Sequence, residues 1–292
     1  MKPVQEHPKS LKPVQTKYCA GCGHGVIHRI ICELVDEMGL RTKSIVMNPV
    51  GCAIWADLYF DFDSVQAAHG RTPAAATGIK RVLPDHLVIC YQGDGDLAAI
   101  GTAEIIHAAN RGEKFTVIFV NNAIYGMTGG QMAPTTLVGQ KASTAPLGRD
   151  PVGQGMGYPI RVCELLATLG GTRYLARGAV DTAAHVAKVK EYIRTAFTAQ
   201  MEGIGFSMVE ILSPCPTNWG MSPAESADWV GTVMTDQYPL GEIKNELATA
   251  RNEVSARNEV SARNEVSARN DVSARNEVSA RNEAAARKGE TL

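Results

Sequence analysis

Leu87-Val88-Ile89-Cys90-Tyr91-Gln92 runs directly into Gly93-Asp94-Gly95-Asp96, and the next apolar run, Phe115–Asn121, ends in the pair Asn121-Asn122. Both runs are short, continuous and rich in β-branched or aromatic residues, the pattern of strands buried on both faces. Three further segments read the same way: Ser44–Met47, Thr172–Ala176 and Phe206–Leu212. Helical patterns fall between them, over Gly25–Met38, Pro73–Leu83, Ala98–Asn110, Val162–Leu169 and Thr182–Glu202. Strands alternating with helices predict an α/β fold, a parallel sheet with helices on both faces. Such sheets bind ligands beyond the carboxyl ends of their strands. The loops after Gln92 and Asn121 are therefore where a site belongs. Loop Asn122–Pro159 is too long for a plain connection, and loops of that length are often functional.

The chemistry of the two loops is coherent. Gly93 and Gly95 let backbone approach a diphosphate closely, and the helix that follows offers free N–H groups and the positive end of its dipole. Asp94 and the side-chain carbonyl of Asn122 are hard oxygen donors on neighbouring strands, suited to a Mg²⁺ ion bridging that diphosphate. Gly-Asp-Gly alone would read as a tight turn. The Asn pair at the end of the next strand tips it toward a phosphate and metal site.

The chain has seven cysteines, an odd number that argues against a disulfide framework. Cys19 and Cys22 are spaced to share one metal or cluster, Cys52 follows Pro-Val-Gly, and Cys215 sits between two prolines. All four lie in Gly- or Pro-rich loops. Cys32, Cys90 and Cys163 fall in apolar helix or strand patterns and read as core residues. Spacing leaves zinc and an iron–sulfur cluster both open.

Composition sets the outer bounds. The chain has 292 residues, 45% of them apolar, with 29 Lys+Arg against 30 Asp+Glu. That charge balance excludes a bulk nucleic-acid binder, and the apolar content supports a large core. No run suits a membrane span, and the N-terminus, with prolines and charges, is unlike a signal peptide, so a cytoplasmic protein with no membrane partner is expected. From Arg251 the chain repeats Arg-Asn-Glu-Val-Ser-Ala, with Asp271 in place of one Glu. Residues 246–292 carry eight acids and eight bases, so this tail is neutral. Pairs such as Glu253 with Arg257 each support a helix by about 0.2–0.5 kcal/mol. A six-residue step turns a helix by about 240° net, so successive valines face different ways and no coiled-coil seam forms. The expected division is an arm at 1–18, a cofactor domain at 19–245, and a helical or partly disordered tail at 246–292 without chemistry of its own.

The segments CAGCGHG at 19–25, HGR at 69–71, GDGDLAAIG at 93–101 and NNAIYGMTGGQM at 121–132 occur together and in order. Over most of residues 15–222 the sequence resembles the thiamine-diphosphate-binding β subunit of 2-oxoacid:ferredoxin oxidoreductases. The resemblance implies that Asp94, Asn122 and the Ile124 carbonyl hold Mg²⁺. It places His24, Gly93, Asp94, Gly95, Asp96, Asn122, Tyr125, Gly126 and Thr128 against thiamine diphosphate, with His69 and Arg71 as catalytic residues. It assigns Cys19, Cys22, Cys52 and Cys215 to a 4Fe–4S cluster. The implied reaction is oxidative decarboxylation of a 2-oxo acid to acyl-CoA and CO₂, with electrons passed through the cluster to ferredoxin. An α subunit supplying the pyrimidine side of the cofactor is an expected partner, as is a ferredoxin-like small subunit. After Cys52 there is no Lys or Arg until Arg71. The resemblance associates a basic residue there with 2-oxoglutarate or pyruvate, so its absence favours a branched-chain substrate, with 2-oxoglutarate next. The alternatives are a non-redox thiamine enzyme subunit with structural or zinc-bound cysteines, and a scaffold that has kept only the fold.

Overall fold

The computed structural model describes residues 6–256, 259–260, 275–280 and 282–283. Seven strands form one sheet: β1 Ser44–Asn48, β2 Asp63–Gln66, β3 Leu87–Gly93, β4 Thr116–Asn121, β5 Thr172–Ala179, β6 Phe206–Leu212 and β7 Gly241–Asn245. The helices are α1 His24–Glu37, α2 Ala56–Tyr59, α3 Thr72–Val82, α4 Thr102–Arg111, α5 Val162–Ala167, α6 Ala183–Met201, α7 Pro216–Trp219, α8 Pro223–Trp229 and α9 Thr235–Gln237. The strand order is β2-β1-β3-β4-β6-β5-β7. Every neighbouring pair is parallel except β5 with β7, which is antiparallel.

The expected α/β fold is present, and the five strands anticipated from apolar runs all form. Two edge strands that carry no apolar signal extend the sheet, β2 parallel to β1 and β7 antiparallel to β5. All four residues of β2 are exposed, and β7 is exposed or half-buried along its length. They are strands because their backbones complete the ladders of β1 and β5.

The central strands bury nearly every side chain. One face presents Val88, Cys90, Val117 and Phe119 to a core closed by Ala76 of α3, Ile105 and Ala108 of α4, and Cys163 and Leu166 of α5. The other face is covered by α6, whose buried Gln200 donates to the Val88 carbonyl at 2.9 Å and accepts from its N–H at 2.6 Å. Alongside it α1 is held by Lys190 to Glu33 and Glu37, both at 2.8 Å. Cys32, Cys90 and Cys163 are buried, in line with their reading as core.

Chain contacts divide the molecule into two compact units, Met1–Leu247 and Ala248–Leu292. The sheet and its helices belong to the first. In the second, 248–256 and 275–280 are helical, and Val260 and Val278 are exposed. The rest of the expected tail, including 261–274 and 284–292, and residues 1–5 of the arm lie outside the described residues.

Candidate active site

The carboxyl ends of β3 and β4 stand side by side, with Gly93 registered against Val120. A cavity of about 140 Å³ opens beyond them. It is lined by His24, Cys52, His69, the Gly93–Asp96 turn, Asn122, Ile124, Tyr125, Gly126 and Thr128. This is the site the two loops predict. Val50, Gly51, Ala53, Val120 and Met127, which the sequence did not single out as site residues, complete the lining.

Asp94 is 3% exposed, and both of its carboxylate oxygens have partners. Gly95 N donates to Oδ1 at 2.8 Å, while Thr135 Oγ1 at 2.9 Å and Ile124 N at 3.2 Å donate to Oδ2. Burial nevertheless pushes the Asp94 carboxyl up to about 6, with these donors pulling the other way. Asn122 Oδ1 accepts from the same Ile124 N–H at 3.2 Å, so the two oxygens converge on one backbone position. The turn between them needs an unusual backbone. Ala123 has φ +56°, a left-handed conformation that costs a non-glycine residue about 1–3 kcal/mol. It is held from both sides: its N–H donates to Asn121 Oδ1 at 3.1 Å, and its carbonyl accepts from Thr136 Oγ1 at 2.6 Å. Asn121 is thus a structural clamp, while Asn122 is the member of the pair that lines the cavity.

The glycines differ in purpose. A Cβ on Gly95 would stand 2.0 Å from the Tyr125 ring, so Gly95 is there for packing. A Cβ on Gly93 would meet nothing within 4 Å, so this bare backbone borders open space that a ligand can fill. Thr128 is half-exposed to exposed at the rim, its hydroxyl bonded to Gln131, whose amide returns a bond to the Thr128 carbonyl at 2.9 Å.

His69 reaches the cavity from the turn before α3, and its Nδ1 lies 2.5 Å from Asp96 Oδ1. A carboxylate only accepts, so the ring donates from Nδ1 and its neutral form carries a lone pair on Nε2. Asp96 also accepts from Gly70 N at 2.8 Å and Gln92 Nε2 at 2.6 Å. Asp96, expected to touch the cofactor, therefore turns its carboxylate into the protein and positions His69. Arg71 pairs with Glu104 of α4, is about half-exposed, and is not among the residues that line the cavity.

His24 stands on the opposite wall at the start of α1. Its Nδ1 is 2.6 Å from Tyr91 Oη, and its ring stacks on Tyr18 at 4.7 Å. Burial pushes its imidazole down to about 4, so the ring is neutral at pH 7.

The four loop cysteines lie close enough for their charges to interact. Cys52 lines it directly. A Cβ on Gly126 would lie 3.3 Å from Cys52 Sγ and 3.6 Å from Cys215 Sγ, so both sulfurs press on this glycine. The Cys19–Cys22 loop sits against the Cys215 loop, with Gly21 packed on Pro216 and Pro223. Burial pushes Cys22 up to about 12 and Cys52 to about 11, and Cys215 rises too, each raised further by the charge of neighbouring thiolates. Among the described residues no three His, Cys, Asp or Glu side chains gather tightly enough to hold a single metal ion. Among the described residues no helix is long and apolar enough to cross a membrane.

Bare backbone at Gly93 and the oxygens converging at Asp94 and Asn122 mark this cavity as the candidate cofactor site. Comparison with known proteins identifies the family. The family described as "Thiamine pyrophosphate enzyme, C-terminal TPP binding domain" matches residues 51–211. Ketoisovalerate oxidoreductase subunit VorA of Methanothermobacter thermautotrophicus is 46% identical over 245 residues, 84% of this chain and 51% of that protein. 2-Oxoglutarate synthase subunit KorB of Archaeoglobus fulgidus is 37% identical, with 72% of this chain matched to 73% of its own. Among solved structures, the 2-oxoglutarate:ferredoxin oxidoreductase from Magnetococcus marinus, with 2-oxoglutarate, coenzyme A and succinyl-CoA bound, superposes with a TM-score of 0.70 at 25% identity. That superposition covers 89% of this chain and 92% of the other. The chain belongs to the thiamine pyrophosphate enzyme family, among the subunits of 2-oxoacid:ferredoxin oxidoreductases. It spans about half the length of the ketoisovalerate relatives it matches.

Proposed function

We propose that this chain is the thiamine-diphosphate-binding subunit of a cytoplasmic, CoA-acylating 2-oxoacid:ferredoxin oxidoreductase whose preferred substrate is branched-chain, such as 2-oxoisovalerate. The observation that carries this reading is the convergence of Asp94 and Asn122 on the Ile124 backbone, in a cavity shared with Cys52 and His69. Asp94, Asn122 and the Ile124 carbonyl would hold Mg²⁺. The Gly93–Gly95 backbone, Tyr125, Gly126 and Thr128 would seat the diphosphate, and His24 would flank it. Cys19, Cys22, Cys52 and Cys215 would carry a 4Fe–4S cluster. When bound, thiamine diphosphate supplies the electron sink for loss of CO₂ from a 2-oxo acid, and the cluster supplies a one-electron outlet.

This chain's own residues bind, orient and exclude water. Asp96 holds His69 through Nδ1, which leaves the Nε2 lone pair as the ring's proton acceptor. A cavity of about 140 Å³ is small beside the roughly 300–1,000 Å³ of complete small-molecule sites, which supports completion by an α subunit. Ferredoxin, or a ferredoxin-like subunit, would take the electrons. Residues 19–245 would form the cofactor domain, with 1–18 as an arm and 246–292 outside the chemistry. The higher identity to the ketoisovalerate relatives supports the branched-chain preference, as does the run Ala53-Ile54-Trp55-Ala56 after Cys52.

The test is anaerobic co-purification of the chain with its α partner, followed by iron and sulfide assay and viologen reduction. Expected are about four irons per chain and CoA-dependent viologen reduction that is faster with 2-oxoisovalerate than with 2-oxoglutarate. Decarboxylation that proceeds without any electron acceptor, in a zinc-containing protein, would replace this reading with the non-redox one.

A further inference from the structure

Two charged residues are buried inside largely apolar strands: Arg177 in Thr172–Ala179 and Glu210 in Phe206–Leu212. Both side chains are fully buried, and they bond to each other, Arg177 Nε donating to Glu210 Oε2 at 2.8 Å. Arg177 also grips Glu164 of α5 in a two-pronged pair, 2.9 Å from Nη1 and 2.6 Å from Nη2, and donates to the Pro239 carbonyl at 3.1 Å. A charge buried this deeply is expensive unless every donor is matched. Here the matched partners lead somewhere.

Two arms run from this pair to the cavity. In the first, Glu210 Oε1 accepts from Asn121 Nδ2 at 2.8 Å, and Asn121 Oδ1 accepts from the strained Ala123 N–H. That clamp sets the turn carrying Asn122. In the second, the Arg177 guanidinium lies 5.4 Å from the centroid of the buried Tyr238 ring. Tyr238 Oη donates to the Thr135 carbonyl at 2.6 Å, and Thr135 Oγ1 donates to Asp94 Oδ2 at 2.9 Å. The arms share no atom after Arg177, yet they end on Asp94 and on the turn of Asn122, the two side chains proposed to hold the metal.

We infer that Arg177, with Glu210 and Tyr238, is a positioning unit that sets the Asp94–Asn122 spacing for the divalent cation. This rests on the proposed reading of the site. Arg177 touches neither substrate nor cofactor; it acts through Asn121 and Thr135. Apolar replacements of buried ion pairs are often neutral or stabilising. Fold stability and metal binding are therefore separable.

The experiment titrates Mn²⁺, in place of Mg²⁺, into the full chain with excess thiamine diphosphate, following free Mn²⁺ by electron paramagnetic resonance. Thermal melting is measured on the same samples. Three proteins are compared: wild type, the double variant Arg177→Met with Glu210→Met, and Tyr238→Phe, which removes one hydroxyl and keeps the ring. The double variant is expected to bind Mn²⁺ about 10–100-fold more weakly, the range for losses behind the ligands, while its melting temperature holds or rises. Tyr238→Phe is expected to fall at or below the bottom of that range, because only one arm is cut. Variants that bind Mn²⁺ within twofold of wild type would overturn the positioning role alone. A wild-type chain that takes up no Mn²⁺ would overturn the metal site itself, and the positioning role with it.

Discussion

The oxygen corner and the sulfur corner of the cavity are built in opposite ways. Around Asp94 and Asn122 each side-chain oxygen that faces the turn has a donor, and even the strained Ala123 peptide is bonded at both ends. Around the cysteines direct support is thin: Asn218 Nδ2 donates to Cys215 Sγ at 3.3 Å, and the remaining contacts are backbone and proline packing. The first corner is shaped by the protein before any ligand arrives. The second gathers thiols that burial and mutual charge disfavour as thiolates, so its geometry depends on what it binds. Loss of one ligand should consequently be felt differently at the two corners.

The largest expected effect is at the sulfurs. Cys215→Ser, assayed anaerobically for iron and acid-labile sulfide, is expected to fall from about four irons per chain to below about one, because a four-thiolate cluster has no spare ligand here. Retention of a full iron complement would assign the cluster to other cysteines. Next comes Asp94→Ala. Thiamine diphosphate with Mg²⁺, titrated calorimetrically, should bind more weakly by more than the roughly 10–100-fold that outer-shell losses give. Iron content should be unchanged, which keeps the two corners distinct.

Acid stability sharpens the comparison from a third direction. Burial holds His28 well below its ordinary range and His24 at about 4. An unfolded chain protonates these rings near 6.5, while the folded chain resists, so the unfolded state binds more protons in that window. Stability is present above about 6.5 and is lost as pH falls toward 4, by about 1.4 kcal/mol per pH unit for each ring. Urea melts between pH 7 and 5 should show the slope, and His28→Phe should flatten it. The smallest effect expected is from Ser222→Ala. Ser222 caps α8 in a reciprocal box with Glu225, and the next residue, Pro223, packs on Gly21 between Cys19 and Cys22. Loss of the cap should cost about 1 kcal/mol, read as a melting shift of a few degrees.

How much was legible beforehand follows the range of the interaction concerned. The Leu87–Gly93 and Thr116–Asn121 strands announce themselves through continuous apolar runs, and the loops after them through glycine, Asp94 and Asn122. His69 was legible as part of a motif. Arg71, two residues on, pairs with Glu104 of a later helix, and nothing local in the sequence states that pairing. Asp96 reads as a ligand from its motif, yet three donors from Gln92, His69 and Gly70 claim it. The edge strands Asp63–Gln66 and Gly241–Asn245 were missed because exposed side chains leave no burial pattern. A signal for the positioning pair was present and unused: Arg177 and Glu210 are charges in strands that bury nearly every position.

By itself the sequence determined the α/β alternation, the phosphate-approaching glycine turn, the paired oxygen donors, the split between loop and core cysteines, and the neutral repeat after Arg251. These depend on spacing and burial period along a few consecutive residues. Only the tertiary structure decided that Thr135 would cross from the long loop to Asp94, that Asn121 would clamp while Asn122 faces the cavity, and that the distant Cys52 and Cys215 loops would meet at Gly126. Hydrogen bonds and packing across tens of residues are set by how the sheet stacks its strands, and that stacking is a property of the whole chain.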